Sequence, residues 1–229
     1  MTKIVDNFNL IRQFLKFDDK DDFYFLQIIE RKKDGNNVPQ NNRNNGYRTV
    51  KSYYIRSLEE FDHRVERIKQ LCSQNNARAY INLNVRSAKE VALVAAKSYI
   101  DLVREDRCHQ GHRVYDHACG ITPKSGVKRM WVIDIDDLTR DEIDTLQNLI
   151  CKCRSSHPLD DGTFDNIVTE IPTLHGVHII THGFDVGRLR DILEQTTRIR
   201  LTPKQIKEIT DIKKDNPTLL YFEYNGQED

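Results

Sequence analysis

The feature that most constrains the fold of this sequence is an apolar run ending in acidic residues, Met130–Asp137. Its aromatic and β-branched residues predict a β-strand. Side chains alternate between the faces of a strand, so we expect Asp134 and Asp136 on one face and Ile133 and Ile135 on the other. Two carboxylates on one face repel each other unless a cation separates them, and hard divalent ions prefer such oxygen ligands. The run therefore predicts a site for Mg²⁺ or Mn²⁺.

A second polar group follows at residues 172–181, where Gly176 ends a predicted turn and His178 opens a predicted strand. A glycine at this position would let the backbone approach a ligand closely. The histidine would donate a hydrogen bond to a phosphate oxygen. Each motif also has a structural interpretation. Asp136 and Asp137 would then cap the following helix, and His178 would be a half-buried hairpin residue.

Composition sets the class of protein. The chain has 229 residues, 38% of them hydrophobic and only 6 of them proline, which predicts a folded chain with a sizeable core. Lysine plus arginine and aspartate plus glutamate are equal at 35 each, which argues against a general polyanion-coating protein but allows a local basic surface. No secretory signal, membrane-spanning run or disulfide pattern is evident, so we expect a cytoplasmic protein with no membrane partner.

The order of predicted elements indicates an α+β fold. Strands are expected at residues 23–30, 48–55, 77–83, 130–136, 166–170, 178–181 and 218–224, and helices at 8–17, 57–71, 88–104, 139–153, 186–194 and 202–212. The Asn-rich segment 34–47 is expected to be a loop, and residues 105–128 are expected to be irregular. We expect one domain over 1–229, with an N-terminal α/β portion at about 1–105 and a mainly antiparallel sheet covered by helices at about 128–224.

The order of the motifs is similar to that of the archaeo-eukaryotic primase superfamily, the primase–polymerases, and more loosely to small phage or mobile-element proteins of that kind. Asp134-Ile135-Asp136 resembles its first motif and Gly176-Val177-His178 its second. The resemblance covers roughly Lys128 to Tyr224 and implies an RRM-like, palm-type sheet. It also implies two divalent metals at Asp134 and Asp136 that bind a nucleoside triphosphate, with His178 on the nucleotide phosphates.

The family's third acidic residue has two candidates in this sequence. Glu223 ends an apolar strand and is the preferred catalytic and metal-binding candidate, and Asp185 is the alternative because it follows the strand that His178 begins. Further nucleotide contacts are expected from Asn82 and Arg86, the polar residues that follow another apolar strand.

A zinc site is a further possibility. The stretch 108–119 contains Cys108, His112, His117 and Cys119, which are zinc-ligand types, although no C-x₂-C pair is present. A polar loop with incidental histidine and cysteine is the alternative interpretation.

Three functions remain open from the sequence. The first is a metal-dependent nucleotidyltransferase that uses nucleoside triphosphates and a DNA or RNA template. The second is a metal-dependent phosphodiesterase or nuclease with the same carboxylates. The third is a non-catalytic nucleic-acid-binding replication module that works with a partner protein.

Overall fold

The computed structural model describes residues 3–36, 46–154, 164–197, 199–212 and 214–224, so most of the Asn-rich segment predicted as a loop lies outside the described residues. The chain divides into two compact units. The first unit comprises Met1–Val127 and Pro217–Asp229, and the second unit comprises Lys128–Asn216. Where the sequence predicts one domain with its motifs reaching Tyr224, the structure assigns the last strand to the first unit. Both units combine helices with antiparallel sheets, which confirms the α+β class.

The first unit is built on a sheet with the strand order β1-β9-β4-β2-β3, and β5 also pairs with β2. These strands are β1 Lys3–Asp6, β2 Asp22–Arg31, β3 Tyr47–Ile55, β4 Arg78–Asn82, β5 Arg86–Ser87 and β9 Pro217–Tyr224. Its helices are α1 Phe8–Arg12, α2 Leu58–Asn75, α3 Ala88–Arg104 and α4 Val114–Ile121, with 3₁₀ turns at Lys32–Asp34 and Cys108–Arg113. Helix α1 is shorter than predicted, and α4 occupies a segment predicted to be irregular.

Side chains of the hairpin formed by β2 and β3 alternate between the two faces of the sheet, and each face is covered by different helices. Phe23 and Phe25 of β2 join the cluster formed with Val91 of α3 and Ala118 of α4. On the other face of the hairpin, Tyr53 of β3 lies beneath Arg64 of α2. Since successive side chains point to opposite faces, the sheet lies between α2 on one side and α3 with α4 on the other.

The second unit is a smaller sheet with the strand order β6-β8-β7. Its strands are β6 Met130–Asp136, β7 Ile167–Pro172 and β8 Gly176–His182, and its helices are α5 Arg140–Ile150, α6 Val186–Gln195 and α7 Pro203–Thr210. Ile133 and Ile135 of β6 pack with residues of all three helices, among them Leu146, Leu189 and Ile206, in one buried cluster. The helices therefore cover the isoleucine face of β6 and leave its aspartate face for other contacts.

Local capping signals fix several helix starts. Ser57 accepts a hydrogen bond from the Glu60 backbone N–H, and Ser87 accepts one from Glu90 in the same way. Thr139 and Glu142 form a reciprocal capping box at the start of α5, where the sequence predicts a helix from residue 139. No helix in the described part of the chain is long and apolar enough to cross a membrane.

Glu170 of β7 tethers the sheet of the second unit to α5 and gives a testable pH dependence. Arg140 donates to it at 2.7 Å, and this bond is the main reason that the pKa of Glu170 lies below its usual 4.5. A depressed carboxyl pKa adds stability above pH 4.5 that is lost as the pH falls through the lower folded-state value. We expect Glu170→Gln to cost about 0.5–1 kcal/mol at pH 7, since Arg140 is largely exposed, and less at pH 3. Urea unfolding at both pH values measures this, with Glu194→Gln as the control, and an equal cost at both would contradict it.

Candidate functional site

Strand β6 presents its two aspartates as the sequence predicts. Ile133 and Ile135 are buried, whereas Asp134 and Asp136 are exposed. The Asp134 side chain is 63% accessible. A period of two residues along the strand gives this separation. The two carboxylates therefore share the face of β6 that the helices do not cover.

The pairing of β6 with β8 brings the second motif to the aspartates. In the antiparallel register Asp134 lies opposite His178, and Asp136 lies opposite Gly176. His178 Nε2 lies 3.2 Å from Asp134 Oδ1, and the imidazole is almost buried. This contact is an ion pair when the imidazole is protonated, and otherwise a hydrogen bond donated by Nε2–H in that tautomer. The sequence predicts His178 beside phosphate, and in the structure the same nitrogen orients Asp134.

The backbone of β6 lies so close to residue 176 that only glycine fits there. A Cβ on Gly176 would lie 1.9 Å from the carbonyl oxygen of Ile135, a distance at which atoms overlap. The same residue closes the turn from β7, because its N–H donates to Thr173 Oγ1 at 3.1 Å and its carbonyl accepts from the Thr173 N–H at 3.0 Å. The close approach that the sequence assigns to a ligand is therefore made, in the structure, by the backbone of β6.

The acidic end of β6 carries electrostatic strain. The pKa of Asp136 is raised, first by partial burial and then by the negative charges of Asp134 and Asp137, with smaller opposing effects from His175 and His178. Asp137 adopts a left-handed backbone with φ +61°, which aspartate tolerates better than most residues and which turns the chain away after the strand. A bound cation would relieve the repulsion among these carboxylates.

A cleft of about 750 Å³ runs along β6 and faces α7. Its lining contains Asp134, Asp136 and Asp137 from the strand end, and Lys204 and Glu208 from the helix. All of the lining residues belong to the second unit. The volume lies in the range typical of small-molecule sites. The cleft therefore offers room for a ligand of nucleotide size next to the two aspartates.

The fit of a metal ion is partial. Within the described ranges, no group of three or more histidine, cysteine, aspartate or glutamate side chains could hold a metal ion. Mg²⁺ is commonly bound by one or two carboxylates, with water and substrate phosphates completing its shell. Asp134 and Asp136 could supply the two carboxylates of such a site, but they could not form a site in which the protein alone supplies all the ligands. A metal at this position would depend on a phosphate ligand.

The two candidates for a third acid lie elsewhere. Glu223 is on β9 of the first unit, where it pairs with Ile4 and lies 3.5 Å from the Tyr221 hydroxyl. Asp185 is in the second unit, but its carboxylate caps α6 by accepting the Arg188 N–H at 2.9 Å. Asp185 thus has a local structural role, and its charge is not among those that act on Asp136.

Asn82 and Arg86 also belong to the first unit, and both are buried. The Arg86 guanidinium donates to the carbonyl of Cys119 at 2.6 Å and to that of Asn84 at 2.8 Å. It thereby ties the segment after β4 to α4. The sequence signal that suggested nucleotide contacts, polar residues after an apolar strand, marks a buried structural arginine here.

The expected zinc ligands are spread over the 3₁₀ turn and α4. Cys119 is buried in the apolar cluster beneath α4, while Cys108 is exposed. His112 and His117 are also exposed, and His112 Nδ1 lies 3.1 Å from the carbonyl oxygen of His109. Burial raises the pKa of the Cys119 thiol to about 12, which opposes the thiolate that zinc needs.

Sequence reasoning missed Lys204, a lysine of α7 that lines the same cleft as the aspartates. Its only local signal is its position in the first turn of a helix that follows the capping residue Thr202. No local sequence pattern indicates that this helix packs beside β6.

Comparisons with known proteins give this chain no family. No protein-family model, no curated protein and no solved structure matches it.

Proposed function

We propose that the second unit is a metal-dependent nucleotidyltransferase of primase–polymerase type, which binds a nucleoside triphosphate and nucleic acid through divalent metals at Asp134 and Asp136. The observation that carries this proposal is the register that sets Asp134 opposite His178 and Asp136 opposite Gly176, with both aspartates lining the cleft. Carboxylates on one face, a histidine oriented onto one of them and a neighbouring cleft form a combination suited to phosphate chemistry.

The topology of the second unit supports a palm-type site. Its elements follow the order β6-α5-β7-β8-α6, and β8 lies between β6 and β7 in the sheet. This order corresponds to the first five elements of the β-α-β-β-α-β motif. The palm-like fold is accordingly part of the proposal.

Each of the residues at this site would have a distinct role in catalysis. Asp134 and Asp136 would hold Mg²⁺ or Mn²⁺ together with the phosphates of the nucleotide. Such ions activate a 3′-hydroxyl and neutralise charge on departing pyrophosphate. His178 would hold Asp134 in place through its Nε2 contact. Lys204 would neutralise phosphate charge from the α7 side of the cleft.

The direct test is isothermal titration of a nucleoside triphosphate into the protein with Mn²⁺ and with EDTA. We expect saturable binding of the nucleoside triphosphate only with Mn²⁺, and we expect the same sample to extend a primed template. Cleavage of an unprimed oligonucleotide without nucleotide transfer would assign the phosphodiesterase function instead. Absence of triphosphate binding, with nucleic-acid binding retained, would assign a non-catalytic module.

Lys204 provides a second test of the cleft. Among the described residues that line the cleft it is the one with a positive side chain, and its contact with Glu208 is long at 3.7 Å and exposed. We expect Lys204→Gln to weaken Mn²⁺–triphosphate binding about three- to tenfold, because a charge-assisted phosphate contact is lost at an exposed position. Lys207→Gln is the matched control, since Lys207 is exposed on the same helix but does not line the cleft. Equal effects of the two variants in the titration would exclude a specific role for Lys204.

A further inference from the structure

A second cleft, of about 390 Å³, lies in the first unit at the edge strand β3. Its lining includes four consecutive strand residues, Lys51 to Tyr54. Because side chains alternate between faces, a cleft can contact four residues in a row only along the strand's edge. Among the described strands β3 ends the sheet, so this cleft lies beside the outer edge of β3.

The side chains around this edge are mainly cationic. Lys51, Arg56 and Arg64 line the cleft together with a single carboxylate, Glu60. Glu60 accepts the Arg56 backbone N–H at 3.0 Å and forms an ion pair with Arg64 at 3.5 Å. The lining residues themselves carry two more positive than negative side chains, and the Asp116 carboxylate adjoins them by accepting from Ser52 and Tyr54. Clustered cations of this kind attract polyanions locally even when the chain has no net charge.

Two of the cations are held in position by one ring. The Lys51 ammonium lies 5.9 Å and the Arg64 guanidinium 5.6 Å from the centre of the Tyr53 ring, within the range of cation–π attraction. Tyr53 is 8% exposed, so the ring serves as a support for the cations and does not present a face for base stacking. Cations oriented before binding lose less side-chain entropy when they take up an anion.

We propose that this cleft, called here the β3-edge cleft, binds the phosphodiester backbone of single-stranded nucleic acid. The charge excess favours a polyanion, and a strand edge with flanking cations suits an extended chain that follows it. The ligand class rests on the proposed function, whereas the surface belongs to the first unit and uses neither Asp134 nor Asp136. Backbone recognition of this kind is tolerant of base sequence.

The test measures fluorescence anisotropy of labelled oligothymidylate and oligouridylate probes, about twelve nucleotides long, with the full chain in EDTA. Lys51→Gln/Arg64→Gln is expected to weaken binding about tenfold and to reduce the slope of log affinity against log salt by about 1.4. Lys51→Arg/Arg64→Lys is expected to keep wild-type binding, since it keeps both charges. Arg67→Gln/Lys89→Gln removes two exposed charges of α2 and α3 outside the cleft and is expected to change affinity less than twofold.

The two probes distinguish DNA binding from RNA binding. Weaker binding of either probe by the Lys51→Gln/Arg64→Gln variant supports the proposal. It is overturned if wild type binds neither probe, or if the Arg67/Lys89 control loses as much affinity as the cleft variant. It is also overturned if polyglutamate of equal charge displaces the probes as effectively, since the cleft would then take acidic peptides. Because EDTA removes divalent metal, failure here leaves the Mn²⁺-dependent triphosphate test of the second unit intact.

Discussion

Replacing Asp134 and Asp136 together by asparagine is expected to abolish Mn²⁺-dependent triphosphate binding and to slow nucleotide transfer at least about a hundredfold. The two carboxylates share one face of β6, and a metal held there supplies several kcal/mol of charge stabilisation, at about 1.4 kcal/mol for each factor of ten. Asparagine keeps the size and hydrogen-bonding capacity of the side chain, so the loss reports charge. Titration calorimetry and primer extension on the same preparations measure both effects.

The matched control for this double variant is Asp191→Asn/Glu194→Gln, which removes two exposed carboxylates from α6 of the same unit. Binding and transfer are expected to remain at wild-type values. If the Asp134/Asp136 variant still bound triphosphate in a Mn²⁺-dependent way, the metal site would have to lie elsewhere. His178→Gln provides a graded comparison, since it removes the imidazole that orients Asp134 and leaves both carboxylates.

Gly176→Ala is expected to destabilise the second unit by about 3 kcal/mol or more, at or beyond the upper end of usual overpacking costs. The added Cβ would meet the Ile135 carbonyl oxygen at 1.9 Å, and this neighbour is backbone, so no side chain can rotate away. The strands β6 and β8 would have to separate where Asp136 pairs with Gly176. Urea unfolding measures the stability loss, and a shift of the Asp136 carboxyl resonance would report the local displacement.

Gly120→Ala is the control for this substitution. Gly120 lies in α4, and a Cβ there meets nothing within 4 Å. Alanine in a helix is favoured over glycine by about 0.5–1 kcal/mol, so this variant is expected to be neutral or slightly stabilised. A Gly176→Ala protein as stable as wild type would show that the two strands are not packed this closely.

The local elements followed from the sequence wherever short-range signals were strong. The starts of α2, α3 and α5 were predicted by Ser57, Ser87 and Thr139, each of which does accept an N–H from the third residue of its helix. Helix α4 was missed because the surrounding stretch is rich in histidine, glycine and charge. Its buried positions, Val114 and Ala118 with Cys119, form only one short helical stripe.

The candidate site was only partly predictable. The alternation along β6 determined that Asp134 and Asp136 share a face, since a two-residue period is a property of the strand itself. The strand that carries His178 was also predicted, although β8 begins two residues earlier, at Gly176. The position of Glu223 was not determined locally, because a strand can pair with any compatible edge, and β9 pairs with β1 and β4.

Most helices and strands, and the face of β6 that carries the aspartates, followed from the sequence because they depend on contacts a few residues apart. Helix α4 and the short strands β1 and β5 did not. Tertiary structure alone decided which residues meet. The register of β6 on β8 sets His178 onto Asp134, and the packing of α7 beside β6 brings Lys204 to the cleft. Arg86 became a buried structural residue because α4 supplies a carbonyl to it. Those outcomes depend on pairings between distant segments, in which buried surface must offset the entropy cost of closing the chain, and no local window of sequence contains either quantity.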